Sequence, residues 1–323
     1  MKIKRGLIVD ASYLIQRALH VKELDELQDS KGRKTGAIFQ VIRSLMYELE
    51  DHVNYYRIFC FDYHQSPRRL KLYPNYKHNI DRVVQLEEAK TNPEIAKQVA
   101  ESKEFVENYH NQRAILIQLL GFLGIPCMFF ENWEGDDLMY IVSRLIPESI
   151  IMTDDKDLIQ LLAPNVKIAR PMAKEILEYS TYQQTHHDPE MKRFLIEKAI
   201  VGDTSDNIPG ACKGCGKKAA EMISEAMVAN PELWREELST HKLKKIRNFC
   251  SDESINQFNL NLELIDLSKV EIDNVIKLKV QSELESVKRP DFFKVFGFMS
   301  EYEIKEIDIN SLILQITTLY NNL

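Results

Sequence analysis

Long apolar runs are missing from this chain of 323 residues: none approaches the roughly 20 residues that a membrane-crossing helix needs. The N-terminal MKIKRGLIVDASYLI starts basic, but its apolar run breaks at Asp10 and no small-residue cleavage site follows. It therefore reads as a first β-strand and not as an export signal. Cysteine is scarce and odd in number. The five, Cys60, Cys127, Cys212, Cys215 and Cys250, are scattered, which argues against a disulfide framework and for a reducing, cytoplasmic compartment. Cys212 and Cys215 form a lone CxxC; a structural zinc would need two more ligands, and only His186 and His187 stand near. Packing of small residues in a tight loop is the simpler reading. Repeats and low-complexity tracts are absent too. Positive charge is not in excess either, the net being −7.

What is present is a soluble globular composition, 44% hydrophobic and 28% charged, on a chain long enough to bury a full core. Short apolar runs alternate with helical patterns. GLIVD (6–10) reads as a strand followed by a helix from about Ser12; GAIFQVIRSLMYELE (36–50) reads as a helix leading to strand YRIFCFD (56–62). IPCMFFE (125–131) and SIIMTDD (149–155) read as further buried strands. Strands separated by helices predict an α/β fold, a central mostly parallel sheet flanked by helices. Ligands of such sheets bind beyond the carboxyl ends of the strands.

Acids stand at those ends. Asp10 closes GLIVD and Asp62 closes RIFCFD. Glu134, Asp136 and Asp137 follow the third strand, and Asp155 and Asp157 the fourth. One strand-end aspartate is usually a helix cap, but four acid-bearing ends converging on one rim are hard to read as caps alone. Glu134, Asp136 and Asp137 would lie at the N-terminus of the helix carrying Leu138, Ile141, Val142 and Leu145 as its apolar stripe. Asp203 and Asp206 are three apart, so one helical turn would put both on one face. Carboxylates without clustered cysteine or histidine select hard cations, magnesium or manganese. A pair of such ions can activate water and stabilise the leaving oxygen of a phosphoryl displacement. With these nine acids set aside as ligands, the remaining balance is +2, so net charge does not exclude a nucleic-acid partner.

Two basic elements accompany the acids. SPRRLKLYPNYKHNIDR (66–82) carries Arg68, Arg69, Lys71, Lys77 and Arg82 with Tyr73 and Tyr76 between them, suited to gripping a phosphate and stacking a base. It opens a long polar stretch, from Tyr63 to about Arg113, that has little to bury and reads as a helical hairpin or an arch over the site. In VGDTSDNIPGACKGCGKKAA (201–220), Gly210, Gly214 and Gly216 allow a tight turn and Lys217 and Lys218 begin a helix, whose amides can hold a phosphate. Beyond 220 the pattern is helical and lysine-rich, as in HKLKKIR (241–247).

In order along the chain, LIVDASYLIQRA, TGAIFQVIRSL, IFCFD, RRLKLYPNYK, LGIPCMFFENWEGDDL, TDDKDLIQLL and GDTSDNIPG resemble the flap endonuclease/5′-to-3′ exonuclease family. Its members include the N-terminal nuclease domains of bacterial DNA polymerase I and phage 5′-nucleases, some called ribonuclease H for removing RNA primers. The resemblance covers roughly residues 5 to 220, and the compact C-terminus is most similar to the phage group, which would make the compartment a host cytoplasm. It implies a PIN-like 5′-nuclease core over residues 1–185 with the arch at about 63–113. Residues 186–323 would be a helical region that completes the second metal site and binds duplex DNA through a helix-hairpin-helix-like motif. It also implies one metal site from Asp10, Asp62, Glu134, Asp136 and Asp137 and a second from Asp155, Asp157, Asp203 and Asp206. Lys77 would be the catalytic lysine of the arch and Arg69 the arginine preceding it. Arg68, Tyr76, Arg82, Gly214, Gly216, Lys217 and Lys218 would contact DNA. Ile80 stands where the family pattern has arginine, and Arg82 follows two residues on. The loop GACKGCGKK is one residue longer than the common pattern, with Cys215 at an aliphatic position; members often hold potassium there.

The activity implied is magnesium-dependent cleavage of 5′-flapped, nicked or ended DNA, extending to RNA–DNA hybrids, by a monomer that acts beside replication proteins such as a single-strand binding protein or a sliding clamp. A PIN-type ribonuclease and a non-catalytic structure-specific DNA-binding protein are the rival readings.

Overall fold

The computed structural model of the protein describes residues 3–48, 54–78, 88–186, 192–305 and 307–323. Strand β1 (Arg5–Asp10) sends Leu7 and Val9 to one side of the sheet and Ile8 to the other, all buried. Polar residues do not alternate along it because both faces are covered. The chain passes at Asp10 directly into α1 (Ala11–Leu19), then through α2 (Lys22–Asp25) to α3 (Gly36–Arg43), which continues as a π-helical turn over Ser44–Glu48. The helix expected over 36–50 is thus α-helical only in its first half. Strand β2 (Tyr56–Cys60) and α4 (Pro67–Leu72) follow. Next comes α5 (Pro93–Phe122), which starts at Pro93 with the Asn92 side chain accepting from the Glu94 amide at 3.0 Å, a start signal satisfied at both positions.

Strand β3 (Cys127–Met128) has two residues, where the apolar run suggested seven. Pro126 has no amide to offer the ladder, and the chain turns at Asn132 with φ 70°. After α6 (Gly135–Leu145), β4 (Glu148–Met152) and a 3₁₀ turn (Lys156–Leu161) come β5 (Val166–Arg170) and β6 (Glu175–Leu177), two strands the alternation did not signal. The order is β3-β2-β1-β4-β5-β6. β1 runs parallel to β2 and β4, and β6 pairs antiparallel with β5. The expected class, mostly parallel α/β, is the observed one.

The rest is helical: α7 (Tyr179–His186), α8 (Lys192–Val201), α9 (Lys217–Ala229), α10 (Trp234–Ser239), α11 (Lys244–Phe249), α12 (Asp252–Ile265), α13 (Asn274–Glu285), α14 (Phe292–Glu301) and α15 (Ile309–Asn321). These helices divide by packing. Val295, Phe298, Leu312, Ile313 and Ile316 join Leu7, Val9, Phe59 and Met152 on one face of the sheet, beneath α1, α3 and the second half of α5. Ile276, Val280 and Leu284 join Ile8, Ile58 and Ile151 on the other, beside α6. A separate core forms around Ile200, Ala220, Ile223, Ile246, Phe249 and Phe258, from α8 to α12. A boundary at residue 186 therefore cuts across the packing, since the last three helices are part of the sheet's two cores. No helix among the described residues is long and apolar enough to cross a membrane.

Candidate metal and phosphate site

Asp10 ends β1 and caps α1. Its Oδ1 accepts from the Tyr13 amide at 3.0 Å and its Oδ2 from the Thr153 hydroxyl at 2.9 Å. Thr153 Oγ1 in turn accepts from the Asp155 amide at 3.0 Å, so one hydroxyl sets two acids from neighbouring strands. Asp62, just past β2, is held from three sides. Its amide donates to Ser12 Oγ at 3.0 Å, its Oδ1 accepts from the Gly135 amide at 2.7 Å, and its carbonyl accepts from Arg113 at 2.8 Å. Asp136 lies in the first turn of α6. Asp155 caps the 3₁₀ turn through the Asp157 amide at 2.8 Å.

These four carboxylates press on one another. Burial, with Asp62 and Asp155 nearby, pushes Asp10 up to about 7 although the Tyr13 amide and Thr153 oppose it. Burial and the charges of Asp155, Asp62 and Asp10 push Asp136 well above the carboxylate range. Among the described residues no three such side chains close on a common point as a finished coordination shell. The donor set is nevertheless all carboxylate and crowded, with no ion-pair partner among the described residues, which suits a hard divalent cation.

The remaining acids are differently placed. Glu134 and Asp137 turn toward Arg69, which is 3% exposed. Arg69 donates to both oxygens of Asp137 at 2.9 and 2.7 Å, to Glu134 Oε2 at 3.3 Å and to the Leu264 carbonyl at 2.9 Å. Tyr76 OH and Lys77 Nζ each lie 3.0 Å from Glu134 Oε2, and the Ser66 amide donates to its Oε1 at 2.9 Å. Burial would raise Glu134, but Lys77 and Arg69 more than offset it and hold the carboxyl below its usual range. Two side chains of the basic run turn inward. Arg69 is enclosed by Asp137 and Glu134. Tyr76, 3% exposed, holds Glu134 and Asp206 (3.1 Å) and has no free face for a base. Lys77 is the reachable cation of this group, with φ 52°, its amide donating to the Asp206 carbonyl at 2.8 Å.

Asp203 and Asp206 do not share a helical turn as their spacing suggested. They belong to a tight turn closed by paired Asp203–Ile208 backbone bonds at 2.8 and 2.7 Å, with Gly202 at φ 79° and Asn207 at φ 56°. Asp203 faces Asp157 through Lys198, whose ammonium pairs with Asp157 and lies 2.8 Å from Asp203 Oδ2. Burial opposes ionisation of Asp203, but Lys198 and Ser205 outweigh it and bring the carboxyl down to about 2. Lys198, like Thr153, was not legible in the sequence: in KRFLIEKAIV it is one more charge on a helix.

The glycine turn matches its reading more closely. Gly214 has φ 82°, and Gly216 is the N-cap of α9 with no side-chain cap. Lys213, Lys217 and Lys218 are exposed. Cys212 and Cys215 are buried, free thiols, both donating to the Lys245 carbonyl at 3.4 and 3.3 Å; His186 stacks on Tyr182 instead. Arg68 pairs with Glu263 at 3.1 Å. Ile80, Arg82 and His187 lie outside the described residues. The first half of α5 is largely solvent-exposed, and the helix buries residues only from Asn108 onward.

A mostly parallel sheet with a carboxylate rim, joined to a glycine-and-lysine turn, frames the site. The chain belongs to the 5′-3′ exonuclease family, matching its N-terminal resolvase-like domain over residues 5–190, and that family is one of nucleases. It is 25% identical over 322 residues to a 5′-3′ exonuclease of Aquifex aeolicus, covering 94% of each. It is 26% identical to DNA polymerase I of Lactococcus lactis, with 93% of this chain aligned to 33% of that one; the chain spans about a third of such polymerases. A bacteriophage T5 flap endonuclease solved in a pseudo-enzyme-product complex with DNA and metal ions shares the fold, with a TM-score of 0.59 and 21% identity over 97% of this chain and 99% of that one.

Proposed function

We propose that the protein is a divalent-metal-dependent, structure-specific 5′-nuclease that hydrolyses phosphodiester bonds near 5′ ends, flaps and nicks in DNA. The observation that carries this reading is the crowded quartet Asp10, Asp62, Asp136 and Asp155, which has no ion-pair partner among the described residues and is a donor set for magnesium or manganese at the rim where α/β sheets bind ligands. A second ion would be held by Asp157, Asp203 and Asp206. Bound ions would supply an activated water and neutralise the departing oxygen. Lys77 would meet the scissile phosphate, with Glu134 and Asp206 fixing its ammonium, a preorganised charge. Arg69 would act through Glu134 and Asp137 as a positioning residue. Gly214 to Lys218 would hold duplex phosphate at a set distance from the cut, with potassium at that turn part of the same proposal. The T5 complex with DNA and metal ions supports the choice of partner. RNA–DNA hybrids as further substrates, replication proteins as partners, action as a monomer and a cytoplasmic setting complete the proposal.

The test is the product length from 5′-labelled flap, nicked, RNA–DNA and single-stranded RNA substrates, with magnesium and with a chelator. Short 5′-phosphorylated fragments from the flap, absent in chelator, are expected. Asp155→Asn or Lys77→Ala should slow flap cleavage by about 10²-fold or more. Wild-type rates in either variant would overturn the assignment, and preference for single-stranded RNA would favour a ribonuclease.

A further inference from the structure

The second group of acids contains a cation that belongs to the chain. From α8, Lys198 reaches the rim with its side chain 15% exposed and pairs with Asp157 and Asp203 together. Asp157 comes from the turn after β4 and Asp203 from the turn after α8, so one ammonium joins the sheet to the helical region. Among the described residues no ion pair of this kind reaches Asp10, Asp62, Asp136 or Asp155. The two acidic groups are therefore electrostatically unequal. One consists of carboxylates repelling one another, and in the other an ammonium already pairs with two of the three acids.

An ammonium and a divalent ion need the same oxygens of Asp157 and Asp203, and a carboxylate pair partly shielded from water does not hold both at full strength. Resting on the reading of these residues as ligands of a second ion, we propose that Lys198 is an internal competitor for that ion. The position formed by Asp157, Asp203 and Asp206 then fills only when Lys198 swings aside, and it binds more weakly than the Asp10, Asp62, Asp136 and Asp155 position. The fold permits the exchange. Lys198 is held by two acids at its tip, and its flexible four-carbon stem lets the ammonium swing without moving α8.

Manganese binding to the full chain without DNA, followed by calorimetry, tests this directly. Wild type should take up one ion tightly and a second more weakly. Lys198→Met keeps the stem and removes the charge; it should strengthen the second ion about tenfold or more and leave the first within about twofold. Lys198→Arg, which keeps the charge, should leave the second ion weak. Thermal midpoints give a second readout. Lys198→Met should melt lower than wild type in chelator, because Asp157 and Asp203 then repel, and should gain more from manganese. Equal second-ion affinity in wild type and Lys198→Met, or an equal thermal gain, overturns the competition and leaves the metal reading standing. No manganese uptake by either protein overturns both.

Discussion

Asp10 does two jobs, capping α1 through the Tyr13 amide and facing three other acids across the rim. That explains why a strand-end aspartate looks like an ordinary cap and yet belongs to the site. Its raised pKa has a signed consequence. The folded protein keeps the Asp10 proton up to about pH 7, whereas the unfolded chain loses it near the ordinary value of 3.8. Between those limits the folded state binds more protons, so without metal, stability falls as pH rises through the window and stays lower above it. Asp10→Asn should therefore raise the melting temperature at pH 8 in chelator by a few degrees, with a much smaller gain at pH 4, while abolishing flap cleavage. An unchanged melting temperature at pH 8 would mean the carboxylate is not under the pressure described. Other residues behave in the opposite way. Tyr76 in a basic run looks like a stacking platform, but the fold turns it inward to bridge Glu134 and Asp206. Arg69 reads as a phosphate-binding residue and is enclosed by Asp137 and Glu134.

At the scale of elements, the strands that carry the acids were readable because parallel strands are apolar throughout. Their partners were not. Thr153 and Lys198 gain their roles only because β4 lies beside β1 and α8 beside the turn at 203–208. The glycine turn before α9 was readable, since a left-handed backbone at Gly214 (φ 82°) is a local requirement. A Cβ at Gly216 would meet nothing within 4 Å, so its small size is not required by internal packing. Lys217→Ala and Lys218→Ala should weaken flap binding across sequences and reduce the logarithmic salt slope by roughly one for each lysine removed. Gly214→Ala should weaken binding through strain of the turn, roughly 1 kcal/mol, with the slope kept. Salt titration of binding by fluorescence anisotropy separates these effects, and an unchanged slope in both lysine variants would remove the turn from the duplex interface.

Taken as a whole, the molecule is not a nuclease core with a helical appendage. The helices α13 to α15 close both faces of the sheet, and Gly124 (φ 72°) packs so near the Lys288 carbonyl that a Cβ would stand 2.0 Å away. A chain ending at Asp291 would strip Val295, Phe298 and Ile313 from the buried cluster they share with Leu7, Leu116 and Leu120. It should be recovered insoluble or as a partly folded, dye-binding species; a soluble truncation with a sharp thermal transition would contradict the packing argument. By itself the sequence determined the parallel α/β class, the acid-bearing strand ends and the glycine-and-lysine turn, because hydrophobic period, strand-end chemistry and backbone handedness are local properties. Only the tertiary structure decided which acids stay crowded and which are compensated, with Arg69 and Lys77 against Glu134 and Asp137, and Lys198 between Asp157 and Asp203. That difference depends on distances between residues remote in the chain, and charge interactions depend on those distances and on burial.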